Sequence, residues 1–132
     1  MTVELRAISQ DDYEAVRQFL SEQGWRQRVN PSERFRTMME NTSRTVVAWS
    51  DSRVVGFARA LCDEICNGYI SMVAVAPDQR GRGIGRLLVN RLMSEDPHIT
   101  WVLRTRPESE EFWRKMGFKV SQVAMERERK PQ

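Results

Sequence analysis

Val73-Ala74-Val75-Ala76-Pro77-Asp78-Gln79-Arg80-Gly81-Arg82-Gly83-Ile84-Gly85-Arg86-Leu87-Leu88 is the stretch on which the reading of this chain turns. It opens as an apolar strand, from Tyr69 through Val75, which Pro77 ends because proline cannot donate to a ladder. It closes as a helix, with Ile84, Leu87, Leu88 and Leu92 recurring on one face. Between them Gly81, Gly83 and Gly85 crowd into five residues. Glycine admits positive φ and lets a ligand approach the backbone closely. The start of a helix offers free N–H groups and partial positive charge. A phosphate is the natural occupant of such a place. Arg80, Arg82, Arg86 and Arg91 add charge and bidentate capacity.

The loop discriminates among phosphate ligands. A Walker A loop needs Gly-Lys-Ser/Thr for the terminal phosphates and magnesium, and here Gly85 is followed by Arg86-Leu87. A dinucleotide fingerprint wants a further glycine where Leu88 stands, and an acidic residue for the ribose after a parallel βαβ unit. Neither nucleoside-triphosphate hydrolysis nor dinucleotide binding fits.

Working outward, Val3 to Ile8 alternates as a first strand, and Ser9 with Asp12 reads as a capping box before a helix carrying Tyr13, Val16, Phe19 and Leu20. Gly24 is its stop. Asn30 caps a second helix with Pro31 at its first position and Phe35, Met38 and Met39 inward. Thr45–Trp49 and Arg53–Leu61 form a hairpin across Ser50-Asp51-Ser52, with Gly56 marking a bulge or a close backbone approach. Asn67-Gly68 reads as the next turn. Trp49 and Trp101 are core strand residues, the latter in a strand over Ile99–Leu103. Pro107 opens a short helix with Phe112, Trp113 and Met116, ending at Gly117. A final strand from Phe118 onward, with Val123 and Met125 on one face, completes the order β-α-α-β-β-β-α-β-α-β. This is an α/β protein of the α+β kind: a mixed sheet with helices on its faces.

The 132 residues suit one domain, residues 1–132, large enough to bury a core without staples. The N-terminus is not a secretion signal and no apolar run approaches a membrane span, so a cytoplasmic protein is expected, without a membrane partner. Cys62 and Cys66 read as reduced thiols, and with His98 as the only histidine no metal site is expected. A net charge of +3 is too mild to argue for nucleic acid, and an arginine cluster built for it would leave the glycines unexplained.

At Arg80-Gly81-Arg82-Gly83-Ile84-Gly85 the chain resembles the GCN5-related N-acetyltransferase (GNAT) superfamily, whose signature reads Arg/Gln-x-x-Gly-x-Gly/Ala. Phe112-Trp113-Arg114-Lys115-Met116-Gly117-Phe118 is similar to that family's Phe-Tyr-x-Lys-Leu-Gly-Phe segment. The resemblance implies the GNAT fold, a mostly antiparallel central sheet whose fourth and fifth strands splay at a bulge, with helices on both faces. It implies acetyl-CoA as co-substrate and no metal. The pantetheine arm would pair with the main chain of Val73, Ala74 and Val75, and the pyrophosphate would sit on the amides of Arg82, Gly83, Ile84, Gly85 and Arg86, beside Arg80 and Gly81.

The implied reaction is direct attack of an amine, small-molecule or peptide, on the thioester in a ternary complex, by a monomer or homodimer. Trp113 stands where the family often carries an acidic tyrosine, and indole N–H is a donor only. Water, Ser109 or Tyr69 are the alternatives for protonating the leaving thiolate. Glu64, beside Asp63 in the turn before the strand, is the candidate base. A non-catalytic acyl-CoA binding or sensing domain is the rival reading, resting on Trp113.

Overall fold

The computed structural model describes residues 2–131. One five-stranded sheet runs in chain order: β1 Glu4–Arg6, β2 Arg44–Ser50, β3 Arg53–Cys62, β4 Asn67–Val75 and β5 Thr100–Leu103. The first four strands are antiparallel neighbours, and β5 lies parallel to β4. Five helices accompany it: α1 Tyr13–Leu20, α2 Arg26–Val29, α3 Ser32–Glu40, α4 Ile84–Met93 and α5 Glu110–Lys115.

The two faces of β3 separate the helices. At Gly56 an added Cβ would stand 2.9 Å from Leu88 and 3.3 Å from Ile84, so α4 packs directly on this strand's backbone. Gly56 is therefore a close approach, and it also faces Ala48 at a bulge between β2 and β3. The next residue, Phe57, is fully buried on the opposite face, where α1 lies against β3. Val16, Leu20, Val29, Phe35, Val47, Val55, Leu88 and Val89 join it in one core.

The start of α1 is fixed by a buried charge. The Asp12 carboxylate accepts the Ser9 amide at 3.0 Å and the Arg6 guanidinium at 2.6 Å. Burial alone would raise this carboxyl, but the bonds from Arg6 and Ser9 outweigh it and hold it below its ordinary value.

Several elements depart from their expected form. Gly24 (φ 104°) kinks the chain and does not end it, since α2 follows at once. Asn30 is not the cap of α3. Its amide donates to the Arg26 carbonyl and the Ser21 hydroxyl, its oxygen accepts from Arg17, and Pro31 takes the cap position. Leu87 is 47% exposed, and Val89 joins Ile84, Leu88 and Leu92 in the buried face of α4 in its place.

Asn67-Gly68 is not a turn, because both residues open β4. The turn lies one step earlier, where the Asp63 carboxylate collects the amides of Ile65, Cys66 and Asn67 at 2.8, 2.8 and 3.0 Å. Gly68 serves packing: an added Cβ would lie 2.3 Å from the Trp101 ring. Trp101 and Trp49 are half-buried, each covered by a guanidinium, Arg44 at 5.3 Å and Arg6 at 4.7 Å.

The expected last strand is absent among the described residues. Phe118 packs edge-on against Trp113 at 5.3 Å, but Val123 and Met125 are 92% and 99% exposed. The segment is tied to the residue after β5 by an ion pair, Glu126 to Arg104 at 2.6 Å. Its few apolar residues bury nothing against a partner face, and without a ladder partner extended chain is not a strand.

Gly68→Ala should cost about 1–3 kcal/mol of folding stability, because the ring of Trp101 must move to admit a methyl. Urea unfolding followed by tryptophan fluorescence measures this, and an unchanged midpoint would mean that Trp101 does not rest on Gly68.

Candidate active site

The glycine loop divides its labour. Gly81 and Gly83 hold φ of 81° and 80°, the left-handed region, with open space where side chains would project. Gly83 is the residue immediately before α4, and the first in-helix bond runs from Leu87 N–H to the Gly83 carbonyl at 3.1 Å. The amides ahead of it, in the first turn, are left without in-helix acceptors and point outward. Gly85 has a different reason: an added Cβ would meet Phe112 at 3.2 Å, so this glycine lets α5 close on α4. Arg80 anchors the loop to the strand through its Nε–H to the Val75 carbonyl at 3.3 Å. Arg53 braces the same turn by clasping Asp78 at 2.7 and 3.0 Å, which lowers that carboxyl to about 2.

Beside the loop the sheet opens. β4 and β5 pair only from Asn67–Thr100 to Ile70–Leu103, whereas β4 runs on to Val75. The departure is built into β4. Opposite β3, Arg59 pairs Ser71 and Phe57 pairs Ala74, so β4 carries one residue more than its neighbour. That extra residue bulges the strand, and Met72 takes φ of 59°. A non-glycine residue there stores about 1–3 kcal/mol of strain, which concentrates at functional sites. Beyond it, the main chain of Ser71 to Val75 has no β5 partner on its outer edge.

The expected cofactor residues follow one another along the chain: Val73, Ala74 and Val75 on the edge that β5 leaves, then Arg80 to Arg86 at the helix mouth. Extended polar chain fits the open edge, where ladder groups lack a strand partner and the Val75 carbonyl is taken by Arg80, and a diphosphate fits the first-turn amides.

The expected catalytic residues are not gathered so neatly. Tyr69 lies on β4 two residues before Ser71, opposite Val102 of β5, and is half-buried. Glu64 stands at the other end of β4. The strand rises about 3.3 Å per residue, so the four steps from Asn67 to Ser71 alone set it back by about 13 Å. Its carboxylate is engaged by Arg44 at 2.7 and 3.1 Å. Arg44 also donates to the carbonyls of Leu92 and Met93 at the end of α4, so Glu64 belongs to a tie between the turn and that helix. The hydrogen bond from Arg44 lowers the Glu64 carboxyl, which removes proton affinity that a base would need. Trp113 is buried between Phe112 and Phe118 at 5.0 and 5.3 Å, a core residue in the tyrosine's place. Ser109 is exposed at the start of α5.

Two residues of the site escaped the sequence reading. Met72 gave no signal, since nothing in a methionine announces positive φ. Arg59 did give one: it is a lone charge inside the apolar run Val54 to Leu61.

The frame is thus a mixed α/β sheet with a bulged strand, a splayed edge and unpaired amides at the mouth of α4. A family model described as an acetyltransferase (GNAT) domain matches residues 5–130, and the chain belongs to that family. Among its relatives, the uncharacterized N-acetyltransferase ycf52 of Porphyra purpurea is 36% identical over 72 residues, covering 52% of this chain and 41% of that protein. The chain therefore matches less than half the length of that relative. Among solved structures, a GNAT-family protein from Xanthomonas campestris superposes with a TM-score of 0.80 at 22% identity, covering 97% of this chain and 94% of the other. The enzyme AAC(6')-Iy, in complex with a CoA-S-monomethyl-acetylneamine bisubstrate analogue, superposes at 0.74 with 21% identity, over 98% and 99%. At these identities the likeness establishes the shared fold. Among the described residues, no group of three or more His, Cys, Asp or Glu could hold a metal ion, and no helix is long and apolar enough to cross a membrane.

Asp63 yields a pH prediction. Hydrogen bonds from the amides of Asn67, Ile65 and Cys66 hold its carboxyl far below the ordinary value. A carboxyl lowered in the fold stabilises it above the unfolded value, near about 3.9, and that stability is lost as pH falls toward the folded value. The melting midpoint should therefore drop more steeply below about pH 4 in wild type than in Asp63→Asn. Parallel curves for the two proteins would remove the charge of Asp63 from the account.

Proposed function

We propose that this chain transfers an acetyl group from acetyl-CoA to a primary amine by direct attack in a ternary complex. The observation that carries the reading is the succession of two features, the open edge of β4 and the left-handed loop at the mouth of α4. An ordinary strand–helix connection needs neither.

In this reading the main-chain groups of Val73 and Val75 pair with the pantetheine amides, in the manner of an added strand. The amides from Arg82 to Arg86 take the pyrophosphate, with Arg80, Arg82 and Arg86 supplying charge. Acetyl-CoA, when bound there, supplies an activated acyl carbonyl and a thiolate leaving group. Main-chain amides at the bulge serve as donors toward the developing negative charge. The Tyr69 hydroxyl, close to the point where β4 and β5 part, is our candidate to return a proton to the sulfur side. The amine gives its proton to solvent, since Glu64 is tied to Arg44 at the far end of the strand. The free thiols of Cys62 and Cys66 suit a reducing compartment, in keeping with a cytoplasmic reaction.

One observation favours the rival reading, an acyl-CoA binding domain without turnover: Trp113 fills the tyrosine position and is buried. Thiol release over a broad amine panel separates the two, because binding without any release would leave only the sensor.

Gly83→Glu should weaken CoA binding by about 10–100-fold, the value of a lost charge-assisted hydrogen bond or two, plus repulsion. Calorimetric titration with CoA reads it directly, and undiminished affinity would overturn the assignment of the loop. For the chemistry, Tyr69→Phe should lower kcat by about 10²-fold or more while KM for acetyl-CoA holds, as expected for a lost general acid. Glu64→Gln should leave kcat within about twofold, well below the effect of a lost base. A large loss in Glu64→Gln with an intact Tyr69→Phe would exchange the two roles.

A further inference from the structure

Arg59 is the charge that the fold does not explain. It sits in the middle of β3 between Ala58 and Ala60, both fully buried, two residues from fully buried Phe57. Its cross-strand partners are Thr45 on β2 and Ser71 on β4, the latter directly before the bulge at Met72. One nitrogen is anchored: Nε–H donates to the Thr42 hydroxyl at 3.1 Å, and that hydroxyl donates to the Met38 carbonyl at 2.7 Å. Among the described residues its two terminal nitrogens make no hydrogen bond and no carboxylate lies within ion-pair distance of them.

The contrast with other arginines is informative. Arg6, Arg17, Arg44, Arg53, Arg104 and Arg114 each hold a carboxylate. Arg59 does not, and burial pushes its guanidinium below the ordinary value, opposed only by nearby Tyr69. A guanidinium does not give up its proton in a protein, so a positive charge with unspent donors is held in a partly dry place. Such a charge is costly unless something anionic completes it.

The position says what that something is attached to. Residues paired across strands share a face. Arg59 shares its face with Ser71, and with Tyr69, which pairs Leu61 two residues along β3. Gly56, which α4 covers, lies three residues away and so on the other face. Tyr69 and Ser71 are half-exposed here, while Gly68 and Ile70 are buried toward α4. On the face away from α4, α1 covers β3 at Phe57, but further along Tyr69 and Ser71 stay half-exposed, so the approach to the bulge is open beside Arg59.

We propose that Arg59 binds an anionic oxygen group, a carboxylate or a phosphate, carried by the acceptor amine. The inference rests on the acetyl-transfer reading above and narrows its substrate class: amines bearing a negative charge are favoured, and polycationic amines are disfavoured by the same residue.

The test uses matched amines that differ in one charge. Glycine against glycinamide and 6-aminohexanoate against hexylamine probe a carboxylate at two reaches, and O-phosphoethanolamine against ethanolamine probes a phosphate. Each is measured by thiol release from acetyl-CoA and by thermal shift of the CoA-loaded protein. The expected result is a preference for the anionic member of at least one pair by about 10–100-fold, abolished in Arg59→Gln, with affinity for CoA unchanged. If Arg59→Gln does not fold, Arg59→Lys, which keeps the charge but not the fork, should cut the preference severalfold. Neutral members equal to or better than anionic ones in both readouts, or a preference that survives substitution, overturns the proposal. Failure of the transfer reading looks different: no thiol release with any amine, while the binding comparison still decides on Arg59.

Discussion

One surplus residue in one strand organises this molecule. Between its pairings with Arg59 and Phe57, β4 takes three steps where β3 takes two, and Met72 absorbs the excess at positive φ. The strain is tolerated because both sides are over-determined: regular pairing resumes at Ala74, and the Met72 side chain is buried in the core. The bend carries β4 away from β5 and leaves a line of backbone polar groups that the sheet does not satisfy. Unpaired ladder groups are either a liability or a binding edge, and here they lead straight into a second set of unpaired amides.

That second set depends on two glycines and on packing elsewhere. Gly81 and Gly83 supply a conformation that other residues enter only with strain. Gly85 lets Phe112 of α5 lie against the helix start, and Gly56 lets α4 settle onto β3. The glycine loop is thus positioned by contacts between elements far apart in sequence. Electrostatics sharpen the picture. Six arginines, Arg6, Arg17, Arg44, Arg53, Arg104 and Arg114, are committed to carboxylates, as Arg44 is to Glu64 and Arg53 to Asp78. Arg59, half-buried beside the bulge, is not.

Where local rules and structure disagree, a competing interaction can be named. Asn67-Gly68 has turn chemistry, but Asp63 captures the turn first with three amides, and the glycine is used to seat Trp101. Asn30 has the right side chain for a cap, but its amide and oxygen are drawn to Arg26, Ser21 and Arg17. Glu64 is acidic and adjacent in sequence to the strand of interest, yet adjacency along a chain is not adjacency along a cleft. An extended strand carries its two ends far apart, and Arg44 was available at the wrong one. Residues after Phe118 have some alternation but find no partner edge.

The amino-acid sequence alone determined the helices and strands with strong periodicity, the glycine-rich loop between strand and helix, and through its two motifs the family. These are local properties: side-chain spacing, glycine freedom and the charge of nearby arginines act within a few residues of one another. Only tertiary structure decided the splay at Met72, the remoteness of Glu64, the burial of Trp113 and the unmatched charge of Arg59. Each of these depends on which residue stands opposite which across the sheet, and a register is not written in either strand by itself.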